Sequence, residues 1–327
     1  CRFQVESTLM QQNIIGNWWE LELDLSNSND GVAFADDGNV PTVTLLGSQG
    51  DNHIEFGSTN NDKDVTLYAG NDWLRTGTGE AKVDLGAGND SLIAGALNDS
   101  VNAGAGNDVI TDAGSNYEGW KNGDSDSGVY YIPDYVAGGN YYDLGAGNDS
   151  LTVSPDALQL SAQPQEAYPM VYGYSLNTVI GGTGNDTVVI HGSAYSAASQ
   201  IGLTGYNSVD LGEGNDRLTV GDVMDGHYSY DTGNNSVIGG AGNDSIAIWQ
   251  DGTQTIDAGE GNDVVQVGGF SEDYSNGNHN IELGGGDDQL SVWGSSRTQD
   301  GVTTINAGSG NDYIYVQQDH VLKSNLG

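Results

Sequence analysis

The chain has little positive charge, and this shortage limits what it can bind. Only 8 lysines and arginines oppose 46 aspartates and glutamates among 327 residues, so the formal net charge is −38. Such a charge argues against nucleic acid or an anionic membrane surface as a partner. It also opposes compaction of the bare chain unless cations neutralise it. We therefore expect bound cations, and calcium is the first candidate.

Cysteine and long apolar runs are also scarce. Cys1 is the only cysteine, so the chain can form no intramolecular disulfide, cysteine zinc site or Cys-x-x-Cys redox motif. It is either a lipid-modified bacterial N-terminus or an ordinary free thiol. No run of 18 apolar residues predicts a membrane span, and the opening CRFQVESTLMQQ is unlike a signal peptide. The abrupt start and end are those expected of an excised piece of something longer.

One ten-residue block recurs nine times along the chain. The copies begin at residues 83, 101, 142, 179, 209, 237, 256, 281 and 305, and they read VDLGAGNDSL or a close variant. In each copy an aliphatic residue or tyrosine lies nine positions before a second aliphatic residue, as Val83 does before Leu92. The pattern predicts a strand, a turn and a second strand in every copy.

The residues of the predicted turn are those of an oxygen-rich metal site. Its glycines, such as Gly86 and Gly88, permit positive φ and let carbonyl groups point inward, while asparagine tolerates left-handed geometry beside them. The aspartate adds a carboxylate. Ca2+ takes about six to eight oxygen ligands, which one turn cannot supply but two stacked turns can. We therefore expect calcium between successive coils of a parallel β-solenoid, with the aliphatic residues filling its thin interior.

The block resembles the RTX nonapeptide, G-G-x-G-x-D-x-U-x, of secreted bacterial proteins over roughly residues 57 to 316. The resemblance implies an all-β fold, a right-handed calcium-bound parallel β-roll, and type I secretion followed by folding in external calcium. It says little about activity, since such repeats accompany toxins, proteases, lipases, adhesins and surface-layer proteins. We divide the chain into an N-terminal β cap over residues 1–45, the solenoid over 46–316 and a C-terminal tail over 317–327.

The nine-residue register assigns alternate turns to opposite edges of the roll. One edge receives an aspartate at each coil, at Asp72, Asp90 and Asp108. The other edge receives at this slot Lys63, Ala81 and Asp99. Because the second edge never has two intact neighbouring turns, we expect its calcium column to be missing. Beyond Ile110 the second edge becomes a series of segments of unequal length, while the first edge keeps its register.

The first edge thus has ten stacked turns, counting the turn YAGNDWL around Asp72 as a shortened copy. Ten turns leave nine gaps, so we expect about eight or nine calcium ions in single file. The candidate carboxylate ligands are Asp72, Asp90, Asp108, Asp149, Asp186, Asp216, Asp244, Asp263, Asp288 and Asp312, together with Asp99 from the other edge. The candidate glycines are Gly86, Gly88, Gly104, Gly106, Gly145, Gly147, Gly182, Gly184, Gly212, Gly214, Gly240, Gly242, Gly259, Gly261, Gly284, Gly286, Gly308 and Gly310.

The segments of the second edge are rich in tyrosine. They hold 13 of the 17 tyrosines, in stretches such as AYPMVYGYSLN and AYSAASQIGLTGYNS. Tyrosine, serine, glycine and asparagine on loops held by a stiff scaffold are typical of a binding surface. Two interpretations stay open: the aromatic side chains cover the edge of the roll, or they recognise a ligand or another subunit, and both can hold together.

No catalytic motif is present. The five histidines are scattered over predicted loops, and the chain has no H-E-x-x-H, G-x-S-x-G or P-loop. Two carboxylates could in principle cleave a glycan, but 46 acidic residues make accidental pairs almost certain. We therefore predict that the chain is not an enzyme.

The pattern favours a structural or adhesive protein of the bacterial exterior, extracellular or on the cell surface. Its expected partners are copies of itself, through the loops and the open solenoid ends, or a surface glycan. Neither nucleic acid nor a membrane span is expected. The alternative is a calcium-dependent secretion and folding module of a larger enzyme, toxin or glycan-binding adhesin.

Overall fold

The structure, a computed structural model, describes residues 2–4, 12–13, 21–24, 26, 33–36, 42–57, 62–95, 98–112, 139–154, 173–191, 203–221, 232–250, 252–268, 278–293, 302–317 and 321–325. Every regular element in these ranges is a β-strand. Successive strands alternate between two sheets, so that each coil contributes one strand to each sheet.

The first sheet has 14 strands, which are the odd-numbered ones in chain order. Their bounds are β1 (Arg2–Gln4), β3 (Leu21–Asp24), β5 (Thr42–Leu46), β7 (Asp62–Thr66), β9 (Ala81–Asp84), β11 (Ser100–Asn102), β13 (Gly139–Asp143), β15 (Gly173–Ile180), β17 (Leu203–Asp210), β19 (Thr232–Ile238), β21 (Gln254–Asp257), β23 (His279–Glu282), β25 (Val302–Asn306) and β27 (Val321–Asn325).

The second sheet has 13 strands, which are the even-numbered ones. Their bounds are β2 (Gln12–Asn13), β4 (Ala33–Asp36), β6 (His53–Phe56), β8 (Trp73–Arg75), β10 (Ser91–Ala94), β12 (Val109–Asp112), β14 (Ser150–Val153), β16 (Thr187–Ile190), β18 (Arg217–Val220), β20 (Ser245–Ile248), β22 (Val264–Gly268), β24 (Gln289–Trp293) and β26 (Tyr313–Val316).

Neighbouring strands are parallel throughout both sheets, as in the pairing of β9 with β11 and of β10 with β12. The fold is therefore the predicted parallel β-roll solenoid, open at its ends rather than closed into a barrel. Strands β1 to β4 join the same two sheets, so the sheets run through the boundary that we drew at residue 45. The three-part division of the chain stays a prediction.

The core follows from the period-two alternation of each strand. In one coil Val83, Leu85 and Leu92 are almost completely buried, whereas Lys82 and Asp84 on the same strand are exposed. The same aliphatic slots recur in the coils above and below, which gives one continuous thin core along the axis. No coil has enough apolar surface to be stable alone, so stability depends on contacts between neighbouring coils.

Glycine is required in the turns because successive coils approach each other closely there. Gly86 has φ +98° and Gly88 has φ +149°. A Cβ atom on Gly88 would lie 1.7 Å from the carbonyl oxygen of Gly70 in the preceding coil. Tyr68, in the slot of the first glycine, has φ +72°, so the turn around Asp72 keeps its full length and is not shortened as the sequence suggested.

Replacing the second glycine of a turn by alanine is expected to destabilise the stacking of successive coils. In Gly242→Ala the new Cβ would lie 1.6 Å from the carbonyl oxygen of Gly214, at a φ of +138°. We expect a cost of about 2 to 4 kcal/mol, measured as a lower thermal midpoint in calcium. Ala241→Ser is the matched control, because residue 241 is exposed and Ser309 occupies the same slot in another turn. Equal midpoints for the two variants would contradict the close approach.

Candidate metal centre

The turns that lead from the first sheet to the second form one straight edge, which we call the aspartate edge. Isolated parallel bridges join the middle residues of these turns, from Ala69 through Ala87 and Ala105 to Ser309. The turns differ greatly in sequence separation, yet they stack without a gap because the variable segments are inserted on the opposite edge. The edge thus brings all ten predicted aspartates into one column: Asp72, Asp90, Asp108, Asp149, Asp186, Asp216, Asp244, Asp263, Asp288 and Asp312.

A repeated hydrogen bond orients each carboxylate in the column. The backbone N–H of Asp186 donates to Oδ1 of Asp216 at 2.7 Å, and that of Asp216 donates to Oδ1 of Asp244 at 2.8 Å. The same bond joins each aspartate to the one in the next coil along the column. Oδ1 is therefore held by the backbone, whereas Oδ2 takes no part in this hydrogen bond.

The second carboxylate oxygens of the column are buried without a hydrogen-bond partner. The aspartates from Asp72 to Asp288 are only 1% or 2% exposed, and each Oδ2 in this set lacks a partner. A buried charged oxygen without a partner costs several kcal/mol, whereas a bound cation removes that cost. A column of such oxygens is the arrangement expected where cations bind.

Burial raises the pKa of these carboxyl groups when no cation is present. The pKa is raised to about 7 for Asp90, Asp149 and Asp216 and to about 6 for Asp72 and Asp263. Desolvation is the largest cause, the backbone hydrogen bond opposes it, and the neighbouring aspartates raise the pKa further. The pKa is also raised for Asp108, Asp186, Asp244 and Asp288.

Backbone carbonyl oxygens would have to complete the donor set of a cation bound at this edge. Nowhere in the described ranges do three acidic, histidine or cysteine side chains converge on one point. A hard cation such as calcium would thus need carbonyl oxygens beside the carboxylates. The turns supply them: the carbonyl oxygen of Gly88 points at Gly106, and a Cβ atom there would lie 1.5 Å away. Carboxylate and carbonyl oxygens suit calcium, so the donor set fits the predicted ion.

The asparagine of the repeat has a different role from the one we expected. Tyr68 is the only residue other than glycine with positive φ in the described part of the chain, so these asparagines do not adopt left-handed geometry. Instead they form an exposed ladder beside the aspartates. Oδ1 of Asn185 accepts the backbone N–H of Asn215 at 2.8 Å, and Oδ1 of Asn215 accepts that of Asn243 at 2.8 Å. The side chain therefore ties adjacent coils together.

The opposite edge, which we call the amide edge, carries a different set of residues at the corresponding slot. Strand pairing aligns Lys63, Ala81, Asp99, Asn140, Asn177, Asn207, Asn235, Gln254, His279 and Thr303 in one row. Part of this row is a buried ladder: Asn177 Nδ2 donates to Asn207 Oδ1 at 2.8 Å, and Asn207 Nδ2 donates to Asn235 Oδ1 at 2.7 Å. An amide both donates and accepts, so this ladder needs no cation.

Asp99 lies on the amide edge, apart from the column. Its Oδ1 accepts the N–H of Ala81 at 2.9 Å, and its Oδ2 is buried without a partner. Burial, followed by the charge of Asp112, raises its pKa to about 8, against the lowering effects of the Ala81 N–H and Lys63. Its neighbours in the row are Ala81 and Asn140, which bring no further carboxylate. The assignment of Asp99 as a metal ligand stays a prediction, as do those of the column aspartates and the turn glycines.

Together the fold and this edge define a parallel β-solenoid with a column of buried aspartates on one side. Comparison with protein families agrees: the model of the RTX calcium-binding nonapeptide repeat matches residues 66–101, 84–111, 173–189, 231–247, 250–269 and 298–319. The chain thus carries RTX calcium-binding nonapeptide repeats, which are of a non-catalytic type. Neither the curated proteins nor the solved structures include a match to it.

The structure continues the repeat register through turns that the family model leaves unmatched. The turns around Asp149, Asp216 and Asp288 have the same hydrogen bond, from the aspartate N–H to Oδ1 of the next aspartate, as the turns that the family model matches.

Proteins with RTX repeats are typically secreted. The described residues include no helix long and apolar enough to cross a membrane.

Sequence reasoning missed both the start of the column and the amide ladder. Asn52 precedes Asp72 in the column and donates its backbone N–H to Asp72 Oδ1 at 2.6 Å, but its turn, GSQGDN, has Ser48 in place of the first glycine and Asn52 in place of the aspartate. The ladder did leave a signal, because Asn177, Asn207 and Asn235 each lie two positions before a core valine. The stretches NTV, NSV and NSV carry this spacing.

The sequence placed the histidines and most of the tyrosines in loops, and the structure corrects this for several of them. His53 and His279 lie on strands β6 and β23 rather than in loops. Tyr206 lies on strand β17, although the sequence placed it in a variable segment. Most of the other loop tyrosines, and the histidines at 227 and 320, lie outside the described residues.

Proposed function

We propose that the protein is a calcium-stabilised structural or adhesive protein of the bacterial exterior that associates with copies of itself. The observation that carries this proposal is the uninterrupted aspartate edge, opposite an edge whose asparagine ladder needs no ion. Cations between successive turns would tie every coil to the next and make the roll one stiff body. A long stiff body with an outer face free for contact suits a filament, sheath or surface layer.

The calcium concentration outside the cell supports an extracellular location for the protein. Sites of extracellular modules typically bind calcium with dissociation constants of about 0.1 to 1 mM. Turns that each contribute one carboxylate suit this range better than the far lower calcium of the cytosol. Calcium would also neutralise part of the net charge of −38, which otherwise opposes contact between copies.

A second candidate function is a secretion and folding module of a larger enzyme, toxin or adhesin. The match to the RTX repeat favours it, because that repeat is a non-catalytic calcium-binding module. The two functions predict different association states for the calcium-bound protein. A structural protein should associate with its own copies once calcium is bound, whereas a folding module should remain a folded monomer.

Sedimentation velocity combined with far-ultraviolet circular dichroism tests the proposal. The protein is examined first in EGTA and then in millimolar calcium chloride, with magnesium chloride as the control cation. We expect calcium to produce β-sheet signal and large assemblies together. Gain of β-sheet signal in a species that stays monomeric would overturn self-association and favour the module.

A further inference from the structure

We infer that a groove on the outer face of the first sheet binds a neutral glycan chain. The groove has a volume of about 560 Å³ and is formed by strands β15, β17, β19 and β21. This volume falls in the range of protein sites for small ligands. The inference rests on the proposed adhesive function, because it names the class of ligand that an adhesive surface would hold.

Two parallel rows of outward side chains line the groove. One row consists of Leu176, Tyr206, Asn234 and Thr253, and the other consists of Thr178, Ser208, Ser236 and Thr255. Between the rows lie the inward-facing asparagines of the amide edge, whose side chains hydrogen-bond to one another below the surface. The floor of the groove is therefore fixed by the ladder as well as by the sheet.

The residues of the lining that the structure describes include no charged side chain, although the protein carries 46 acidic residues. The nearest acidic side chains on these strands are Asp210 and Asp257, two positions beyond Ser208 and Thr255 and outside the lining. A cation finds no carboxylate among these described residues, and an anion meets the negative field of the surrounding protein. The groove thus favours an uncharged ligand.

The polar and apolar groups are arranged as a sugar chain requires. Hydroxyl groups of the second row repeat at the strand spacing of about 4.8 Å, and each hydroxyl both donates and accepts hydrogen bonds. In the first row Leu176 and Tyr206 are neighbours and are 43% and 45% exposed. A tyrosine ring packs against the apolar C–H face of a sugar while its hydroxyl stays in water.

The groove is also pre-organised, which lowers the entropic cost of binding. Asn234 Oδ1 accepts the backbone N–H of Thr253 at 2.7 Å, so this side chain is already oriented in the first row. The rows run across four strands along the solenoid axis. An open groove of this form suits an extended chain of sugars better than a compact small molecule.

Isothermal titration calorimetry in millimolar calcium tests the inference. The probes are maltohexaose, cellohexaose and chitohexaose, with an oligogalacturonate of the same length as the anionic comparison. We expect at least one neutral hexasaccharide to bind and the oligogalacturonate to bind more weakly. Tyr206→Ala should weaken that binding roughly tenfold, because one exposed aromatic contact is lost.

Tyr315→Ala is the matched control, since Tyr315 is 46% exposed on strand β26 of the second sheet and lies outside the groove. It should bind as the unaltered protein does. Equal weakening in both variants, no binding of any neutral hexasaccharide, or preference for the oligogalacturonate would each overturn the inference.

Sedimentation of Tyr206→Ala in calcium separates this inference from the proposed function. Assembly without glycan binding would overturn only the inference, and glycan binding by a monomer would overturn only self-association. If Tyr206→Ala abolishes assembly and no hexasaccharide binds, the groove is a contact between copies of the chain and the glycan inference is wrong.

Discussion

Calcium removal at neutral pH is expected to unfold the β-roll. Without a cation, the buried Oδ2 atoms of the column have no partner, and burial raises the pKa of Asp90, Asp149 and Asp216 to about 7. Near pH 7 a large part of these groups must therefore carry a charge beside other charged aspartates. The thin core cannot offset that cost, because each coil is stable only through its neighbours.

The pH dependence of the calcium-free protein follows from the direction of the pKa shifts. An unfolded aspartate loses its proton near pH 4, whereas these folded groups keep theirs until about pH 6 or 7. The folded state thus holds more protons in this window, so its free energy of unfolding falls as pH rises through it. The stabilisation is fully present below about pH 4 and is lost as pH passes the folded pKa.

Thermal unfolding in EGTA, followed by circular dichroism at about pH 4 and near pH 7.5, measures this effect. We expect substantial β-sheet signal at the lower pH and little at the higher, with the difference removed by millimolar calcium. A calcium-free roll that is equally stable at both values, or more stable near neutrality, would contradict the raised pKa values. Magnesium is the control for simple charge screening.

Asp216→Ala is expected to raise the calcium concentration needed for folding far more than Asp99→Ala. Asp216 adjoins two gaps between turns of the aspartate edge, one toward Asp186 and one toward Asp244. Its loss would remove a carboxylate from both gaps, and we expect the calcium midpoint of folding to rise roughly tenfold or more. Asp99 has no aspartate in the neighbouring coils of its row, so its loss should leave the midpoint nearly unchanged.

The two alanine variants are matched in their effect on hydrogen bonding. Each removes one acceptor of a backbone N–H, that of Asp186 in one case and that of Ala81 in the other. Both therefore lose a comparable buried hydrogen bond, at a cost of about 1 to 3 kcal/mol. A difference in calcium midpoint then reports the cation rather than the hydrogen bond.

Asp216→Asn separates the charge from the hydrogen bond. The asparagine keeps an oxygen that can accept the Asp186 N–H, and Asn52 already occupies the first slot of the column. We expect this variant to need more calcium than the unaltered protein but to be more stable than Asp216→Ala in EGTA. Equal calcium midpoints for Asp216→Ala and Asp99→Ala would show that the column does not bind the ions.

The aspartate edge could be predicted from the sequence because its chemistry is local. Each copy of the block has two glycines where a Cβ atom would collide with the preceding coil, and its aspartate lies at a defined offset from them. Both requirements lie within ten residues, so Asp90 and Asp108 can be recognised from their spacing to the turn glycines. The parallel roll follows, since a turn that repeats at a fixed offset from aliphatic residues can stack only on its own copies.

The amide edge could not be predicted in the same way. Asn177, Asn207 and Asn235 become neighbours only when strands separated by about 30 residues pair in register. The intervening segments differ in length, and no turn motif marks the alignment. The placement of Tyr206 beside Leu176, on which the glycan groove depends, has the same origin.

By itself, therefore, the sequence determined that this protein is a β-roll with a column of aspartates along one edge. Local turn sterics and the charge of −38 are sufficient for that conclusion. Only the tertiary structure decided that an asparagine ladder continues the opposite edge beyond Asp99 and that Oδ2 of Asp99 is buried there without a partner. Those facts depend on the register between distant strands, which the burial of the whole core selects and no single repeat encodes.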